Sequence, residues 1–122
     1  MPALLRALRL SEKAARAGFD WETTDQVFQK VREEISEWEG ATQSGHPDQA
    51  AGELGDLLFS LVNVARRLGI EPEAALQSAN QRFAVRFGRM EEALAEEGLK
   101  MEAASGVRLE ELWEAAKRAE QA

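Results

Sequence analysis

The sequence of 122 residues contains no cysteine and a single histidine, His46. The lack of cysteine excludes disulfide bonds, thiolate zinc sites, iron–sulfur clusters and cysteine nucleophiles. Because there is one histidine, a metal site with several histidines cannot form within one chain. The longest apolar run, Leu57–Val62 interrupted by Ser60, is far shorter than the ~20 residues that a membrane-spanning helix needs. The mixed N-terminus also lacks the apolar core of a signal peptide, so we expect a soluble, cytoplasmic protein.

Basic residues are in the minority, with 15 lysines and arginines against 22 acids and a net charge of −7. This balance argues against a general affinity for nucleic acid or for an anionic membrane, because neither phosphate surface would be attracted overall. Apolar residues make up 44% of the sequence. That content is enough for one hydrophobic core and too little for two ordinary domains, which predicts a single domain over residues 1–122.

Apolar residues recur with the period of an α-helix, and glycine and proline fall between the periodic segments. No stretch alternates with the period of a strand. The pattern predicts an all-α bundle of about five helices with short connections and antiparallel neighbours. The expected helices are Ala3–Ala17, a second from a cap at Thr23, Thr24 or Asp25 to Gln43, Asp48–Leu68, Pro72–Glu97 and Leu109–Glu120.

Carboxylates concentrate in two of these helices. The second helix carries Glu33, Glu34 and Glu37, and the third carries Glu53 and Asp56. Glu34 and Glu37, like Glu53 and Asp56, are three residues apart, which places each pair on one helix face. On a helical wheel Glu34 lies at the margin of the apolar stripe and Glu53 lies within it, on a helix apolar enough to be central.

A buried carboxylate must be neutralised, paired or bound to a cation. Four carboxylates without histidine favour a hard cation such as Mg²⁺ or Mn²⁺. The alternative is that the acids of the second helix form a solvated face and that Glu53 is bridged to an arginine.

The fourth helix carries two stripes. Leu76, Phe83, Phe87, Met90 and Leu94 form an apolar one, bordered by Asn80, and Arg82, Arg86 and Arg89 form a basic one. The ordinary interpretation is a core face and a solvated face. Beside a metal site, however, an arginine row could bind a polyphosphate through its guanidinium forks. Trp21 and Trp113 near segment ends could stack on a base, although core packing is the commoner role.

These residues resemble the MazG nucleotide pyrophosphohydrolases, whose motif is E-E-x-x-E followed after a short loop by E-x-x-D. The resemblance covers nearly the whole chain and extends to short sequence segments that flank the motif. These are Gly18–Trp21, Gly52–Phe59, Asn63-x-Ala65-Arg66, Ala79-Asn80-x-Arg82-Phe83-x-x-Arg86-Phe87 and Leu112-Trp113-Glu114-x-Ala116-Lys117. The chain looks like the second domain of two-domain MazG proteins. The carboxylate spacing alone is shared with dimeric dUTPases and phosphoribosyl-ATP pyrophosphohydrolases.

The resemblance implies an all-α fold that works as a homodimer or homotetramer and a site for Mg²⁺, with Mn²⁺ as a substitute. It assigns Glu34, Glu37, Glu53 and Asp56 as metal ligands. Glu33 would help to hold metal or activate the water. Arg82 and Arg86 match phosphate-binding positions, with Asn80 beside them, and Trp113 and Lys117 match an element that closes over the nucleotide. Arg82 stands where lysine is frequent in the family, which changes the geometry of a phosphate contact.

The resulting hypothesis is hydrolysis of a nucleoside triphosphate, NTP or dNTP, to the monophosphate and pyrophosphate. Glu33 or Glu37 would take the proton of the attacking water. One alternative is a narrow-substrate relative, similar to a dUTPase or to a phosphoribosyl-ATP pyrophosphohydrolase. Another is a helical oligomerisation module without catalytic activity.

Overall fold

The computed structural model describes residues 1–121, and within them the fold consists of helices and connections without a strand. The helices are α1 (Ala3–Arg16), α2 (Thr24–Gln43), α3 (Pro47–Arg67), α4 (Pro72–Glu96) and α5 (Gly106–Ala119), with a short 3₁₀ turn at Met101–Ala103. The predicted all-α fold of five helices is confirmed. In this described part of the chain, no helix combines the length and apolar character needed to cross a membrane.

Local sequence signals define most helix ends. Thr23 is the N-cap of α2, and its hydroxyl accepts from the backbone N–H of Gln26, whose side chain in turn accepts from the backbone of Thr23. This reciprocal capping box satisfies donors that a helix start leaves free. At the end of α3, Gly69 adopts a φ of 72°, a conformation that costs little only for glycine. Ile70 N–H then reaches back to Ala65 O at 2.8 Å and closes the helix.

The chain divides into two compact units, Met1–Ala75 and Leu76–Ala122. In the first unit, α3 packs against both α1 and α2. Its core contains Val27 and Val31 of α2 together with Leu57 and Val64 of α3. Trp21 and Trp38 pack against this core. Trp21 therefore has the core-packing role rather than an exposed position suited to base stacking.

A chain of polar side chains connects α1, α3 and the segment that follows α1. Buried Ser11 donates to Asn63 Oδ1 at 2.6 Å and accepts from Arg66 Nε at 2.6 Å. Arg66 also donates to both carboxylate oxygens of Asp20, which Arg67 contacts as well. The hydrogen bond from Arg66 is the main reason that the pKa of Asp20 is lowered. These contacts form the Ser11 relay.

Helix α3 is less enclosed than its composition predicts. Leu54, Leu58 and Leu61 lie 37%, 45% and 46% exposed, and Phe59 is 40% exposed. The expectation of a central helix surrounded by its neighbours is therefore wrong for the single chain. Within the first unit, α1 and α2 are the described helices that pack extensively on α3, and they leave these side chains partly exposed.

The second unit has a smaller core, formed by Met90, Leu94 and Leu112, with Trp113 packed against it. The apolar stripe of α4 is buried only at its C-terminal half. Leu76 and Phe83 are 49% and 56% exposed. The interpretation of the whole stripe as core is therefore wrong for its first half. Helix α5 begins three residues earlier than predicted, because Ser105 caps it by accepting from Arg108 N–H.

Candidate functional site

The paired helices α2 and α3 bring three of the predicted carboxylates together. Glu34 and Glu37 lie on α2 and Glu53 lies on α3, and one oxygen from each falls within 4.8 Å of the others. The short turn between the two helices makes them antiparallel neighbours. Glu37 precedes Gly45 in this turn by eight residues and Glu53 follows it by eight, so the two acids meet at the same level.

The cluster is partly removed from water, although it consists of acids. Glu34 is only 5% exposed. Its Oε1 atom pairs with Lys30 Nζ at 3.0 Å. Its Oε2 atom and Oε2 of Glu53 are both buried and have no hydrogen-bond partner within residues 1–121. Two buried carboxylate oxygens without a donor are costly, so the arrangement favours either protonation of a carboxyl group or a bound cation.

The electrostatics of the cluster point the same way. Removal from water raises the pKa of Glu53, and the hydrogen bond to Glu37 and the charges of Glu37, Glu34 and Asp56 raise it further. Conversely, the hydrogen bond to Glu34 is the main cause that raises the pKa of Lys30. The site therefore holds more negative charge than its surroundings neutralise, and it favours either a proton or a cation.

The donor set fits a hard divalent cation. All available ligand atoms are carboxylate oxygens, which Mg²⁺ and Mn²⁺ prefer, and no histidine or cysteine takes part. Two further predicted acids lie near the cluster without joining it. Asp56 is exposed one helical turn beyond Glu53, and Glu33 is exposed beside Glu34. The alternative of Glu53 bridged to an arginine is not observed, because none of the described arginines pairs with it.

The predicted substrate-binding residues lie in the second unit. Arg86 donates to both oxygens of Glu120, at 2.8 and 3.0 Å, and its guanidinium lies 5.3 Å from the ring centre of Trp113. Arg82 donates to Ser78 at 2.8 Å. Trp113 also packs against Phe83. Arg82 and Arg86 are thus engaged with side chains of their own unit, although Arg82 stays exposed to solvent.

The two remaining candidates of this group are less constrained. Lys117 is half-buried and lies 4.0 Å from Glu114, and Asn80 is exposed on α4. Their roles toward a substrate stay predictions.

Sequence reasoning overlooked two residues. Lys30 could have been found from its position four residues before Glu34, which places both on one helix face. Glu120 carried no such signal, because it is 34 residues away from Arg86.

These features define an all-α protein with a candidate divalent-metal centre between two antiparallel helices. The family model described as phosphoribosyl-ATP pyrophosphohydrolase matches residues 1–83. Two relatives are the nucleoside triphosphate pyrophosphohydrolase/pyrophosphatase MazG of Thermotoga maritima and the nucleoside triphosphate pyrophosphohydrolase of Escherichia coli K12. They are 42% and 43% identical over 96% and 98% of this chain. The chain therefore belongs to the phosphoribosyl-ATP pyrophosphohydrolase family, and its resemblance to MazG is confirmed. It spans 45% and 46% of the length of these two relatives.

Proposed function

We propose that the chain is a metal-dependent nucleoside triphosphate pyrophosphohydrolase that converts an NTP or dNTP to the monophosphate and pyrophosphate. The observation that carries this proposal is the Glu34, Glu37 and Glu53 cluster with its two buried, unpartnered oxygens. The names of the two MazG-type relatives support it. The role that such a reaction would serve is house-cleaning of the cytoplasmic nucleotide pool, by removal of aberrant nucleotides.

The proposed metal ligands are Glu34, Glu37, Glu53 and Asp56. Asp56 lies one turn from Glu53 on α3, and its charge already acts on Glu53. Bound Mg²⁺, or Mn²⁺ in its place, would supply charge neutralisation for the phosphates and lower the pKa of a water molecule.

The chain itself must accept a proton and stabilise the leaving group. Water attacks the α-phosphorus, the bond from that phosphorus to the bridging oxygen breaks, and pyrophosphate leaves with the electron pair. Glu37 within the cluster, or exposed Glu33 beside it, takes the proton of the water. The guanidinium groups of Arg82 and Arg86 are the proposed ligands of the phosphates. Asn80, Trp113 and Lys117 complete the proposed substrate-binding set.

We also propose that residues 1–122 form one MazG-like domain that assembles as a homodimer or homotetramer. The uncovered apolar face of α3, with Leu54, Leu58 and Leu61, supports an assembly because apolar surface of this kind is normally buried.

The experiment that tests the reaction is product analysis. The purified chain is incubated with each common NTP and dNTP, with Mg²⁺ or with EDTA, and the products are separated by ion-exchange chromatography. We expect monophosphate and pyrophosphate only when metal is present. The Glu53→Gln variant is expected to lose this activity and to keep its helical content, because it removes one ligand charge at nearly constant size.

Glu39→Gln is the matched control, since Glu39 is an exposed acid of α2 outside the cluster. It should retain wild-type turnover. Full metal-dependent turnover in Glu53→Gln, or the diphosphate and phosphate as products, would contradict the proposal.

A second candidate is hydrolysis of phosphoribosyl-ATP, favoured by the description of the matching family model. The same panel tests it when phosphoribosyl-ATP and dUTP are included. A preference of at least tenfold in kcat/KM for either compound would assign a narrow substrate. No turnover of any compound would favour the oligomerisation module.

A further inference from the structure

Within residues 1–121, Lys30 is the one cation that pairs with the carboxylate cluster. Its Nζ atom lies 3.0 Å from Oε1 of Glu34, and the other described salt bridges lie outside the cluster. The Lys30 side chain is 38% exposed, whereas that of Glu34 is 6% exposed. The lysine therefore reaches from the surface to a carboxylate that is itself buried.

Helix spacing brings Lys30 within reach of Glu34, but it does not by itself make the contact important for stability. A lysine four residues before a glutamate is the weaker orientation of such a pair, worth a few tenths of a kcal/mol at an exposed site. The contact matters here because Glu34 is buried and would otherwise carry an unpaired charge. Lys30 nevertheless leaves Oε2 of Glu34 and Oε2 of Glu53 without partners. The single positive charge of Lys30 therefore does not neutralise all the negative charge of the cluster.

We propose that Lys30 is the resident counter-ion of the cluster, which neutralises Glu34 in the metal-free chain and competes with a divalent cation for the same carboxylate. The inference rests on the proposed metal centre. It assigns Lys30 a role opposite to that of a metal ligand, since its charge stabilises the empty site and weakens metal binding. In this role Lys30 acts on the metal affinity through the charge that it places on Glu34.

The test compares the wild-type chain of 122 residues with its Lys30→Gln variant. Binding of Mg²⁺ alone is measured by titration calorimetry, and the melting temperature is measured in EDTA and at saturating Mg²⁺. We expect Lys30→Gln to bind Mg²⁺ about tenfold more tightly, because a like charge that pairs with a proposed metal ligand is removed. In EDTA its melting temperature is expected to fall by several degrees, and at saturating Mg²⁺ this deficit is expected to shrink or disappear.

Lys13→Gln is the matched control, because Lys13 is an exposed lysine of α1 outside the cluster. It should leave the Mg²⁺ affinity and the response to EDTA unchanged. Lys30→Arg retains the charge and is expected to stay near the wild type in both measurements. If Lys30→Gln does not fold in EDTA, the Lys30→Gln/Glu34→Gln variant takes its place there, and removal of both charges is expected to restore folding.

The outcomes separate the inference from the proposed function. Wild-type binding of Mg²⁺ with an unchanged or weaker affinity in Lys30→Gln would overturn the counter-ion role and leave the metal centre standing. An equal loss of stability with and without Mg²⁺ would likewise show that Lys30 acts only in packing. No binding of Mg²⁺ by wild type or variant would overturn both the metal centre and the competition.

Discussion

Replacing Ser11 with alanine would break the Ser11 relay at its centre. Ser11 is 3% exposed, and its hydroxyl donates to Asn63 and accepts from Arg66, both at 2.6 Å. In the variant, the Asn63 oxygen is left buried without its donor, because Asn63 is itself 5% exposed. An orphaned buried acceptor costs about 1–3 kcal/mol. Arg66 loses one bond but keeps two to Asp20, so its own contribution is smaller.

The expected loss in the free energy of unfolding is therefore about 2–3 kcal/mol. For a chain of this length that corresponds to a fall of roughly 8–12 °C in melting temperature. Urea unfolding followed by circular dichroism measures the change, and the midpoint should fall at an unchanged slope. A loss below about 0.5 kcal/mol, the range of an ordinary surface substitution, would refute this account of the relay.

Ser36→Ala is the matched control, because Ser36 is exposed on α2 and alanine is the better helix former. It should be neutral or slightly stabilising. The double variant Ser11→Ala/Asn63→Leu should recover part of the lost stability, since it removes the orphaned acceptor as well.

Two predictions concern pH. Because the pKa of Glu53 is raised above the ordinary 4.5, its ionised form destabilises the metal-free chain. Metal-free stability should therefore decline as pH rises through that raised value, while the gain in melting temperature from Mg²⁺ should grow, since protons no longer compete with the metal. Thermal melts across this range, with Mg²⁺ or EDTA, measure both trends, and a gain independent of pH would contradict the reasoning. For Glu120 the sign is opposite, because the hydrogen bond from Arg86 lowers its pKa. Its contribution to stability should persist above 4.5 and be lost as pH falls through the lowered value. Glu120→Gln should flatten this part of the acid-unfolding curve, and an unchanged curve would contradict the pairing.

Helix boundaries were predictable where a local signal is strong. Glycine after the last helical turn and threonine before the first one act on the backbone of neighbouring residues. Helix ends of this kind can therefore be predicted from the local sequence. The start of α5 was placed late because Gly106 and Val107 are poor helix formers, and the Ser105 cap outweighs them. The exposure of Leu58 and Leu61 could not be predicted, because an apolar pattern shows which faces avoid water and not which neighbours cover them.

The carboxylate cluster followed from helical geometry and from the resemblance, since three of its acids occupy fixed positions on two adjacent helices. Wheel arithmetic placed Glu34 at the margin of the apolar face, but the structure buries it more deeply than Glu53. How deeply a residue at the margin of an apolar face is buried depends on the neighbouring helix and on side chains such as Lys30. Hydrophobic periodicity carries no information on either of them. The contact between Arg86 and Glu120 depends on the packing of α4 with α5, and a local sequence pattern does not predict that packing.

The equal distance of Glu37 and Glu53 from Gly45 makes the cluster depend on how the two helices align along their length. A slip of one residue between α2 and α3 would move facing carboxylates about 1.5 Å apart along the axis and rotate one of them by about 100°. The packing of Val27 and Val31 against Leu57 and Val64 prevents this slip. These three valines and one leucine therefore set the alignment of the carboxylates, and substitutions among them would change the spacing of the acids without replacing any acid.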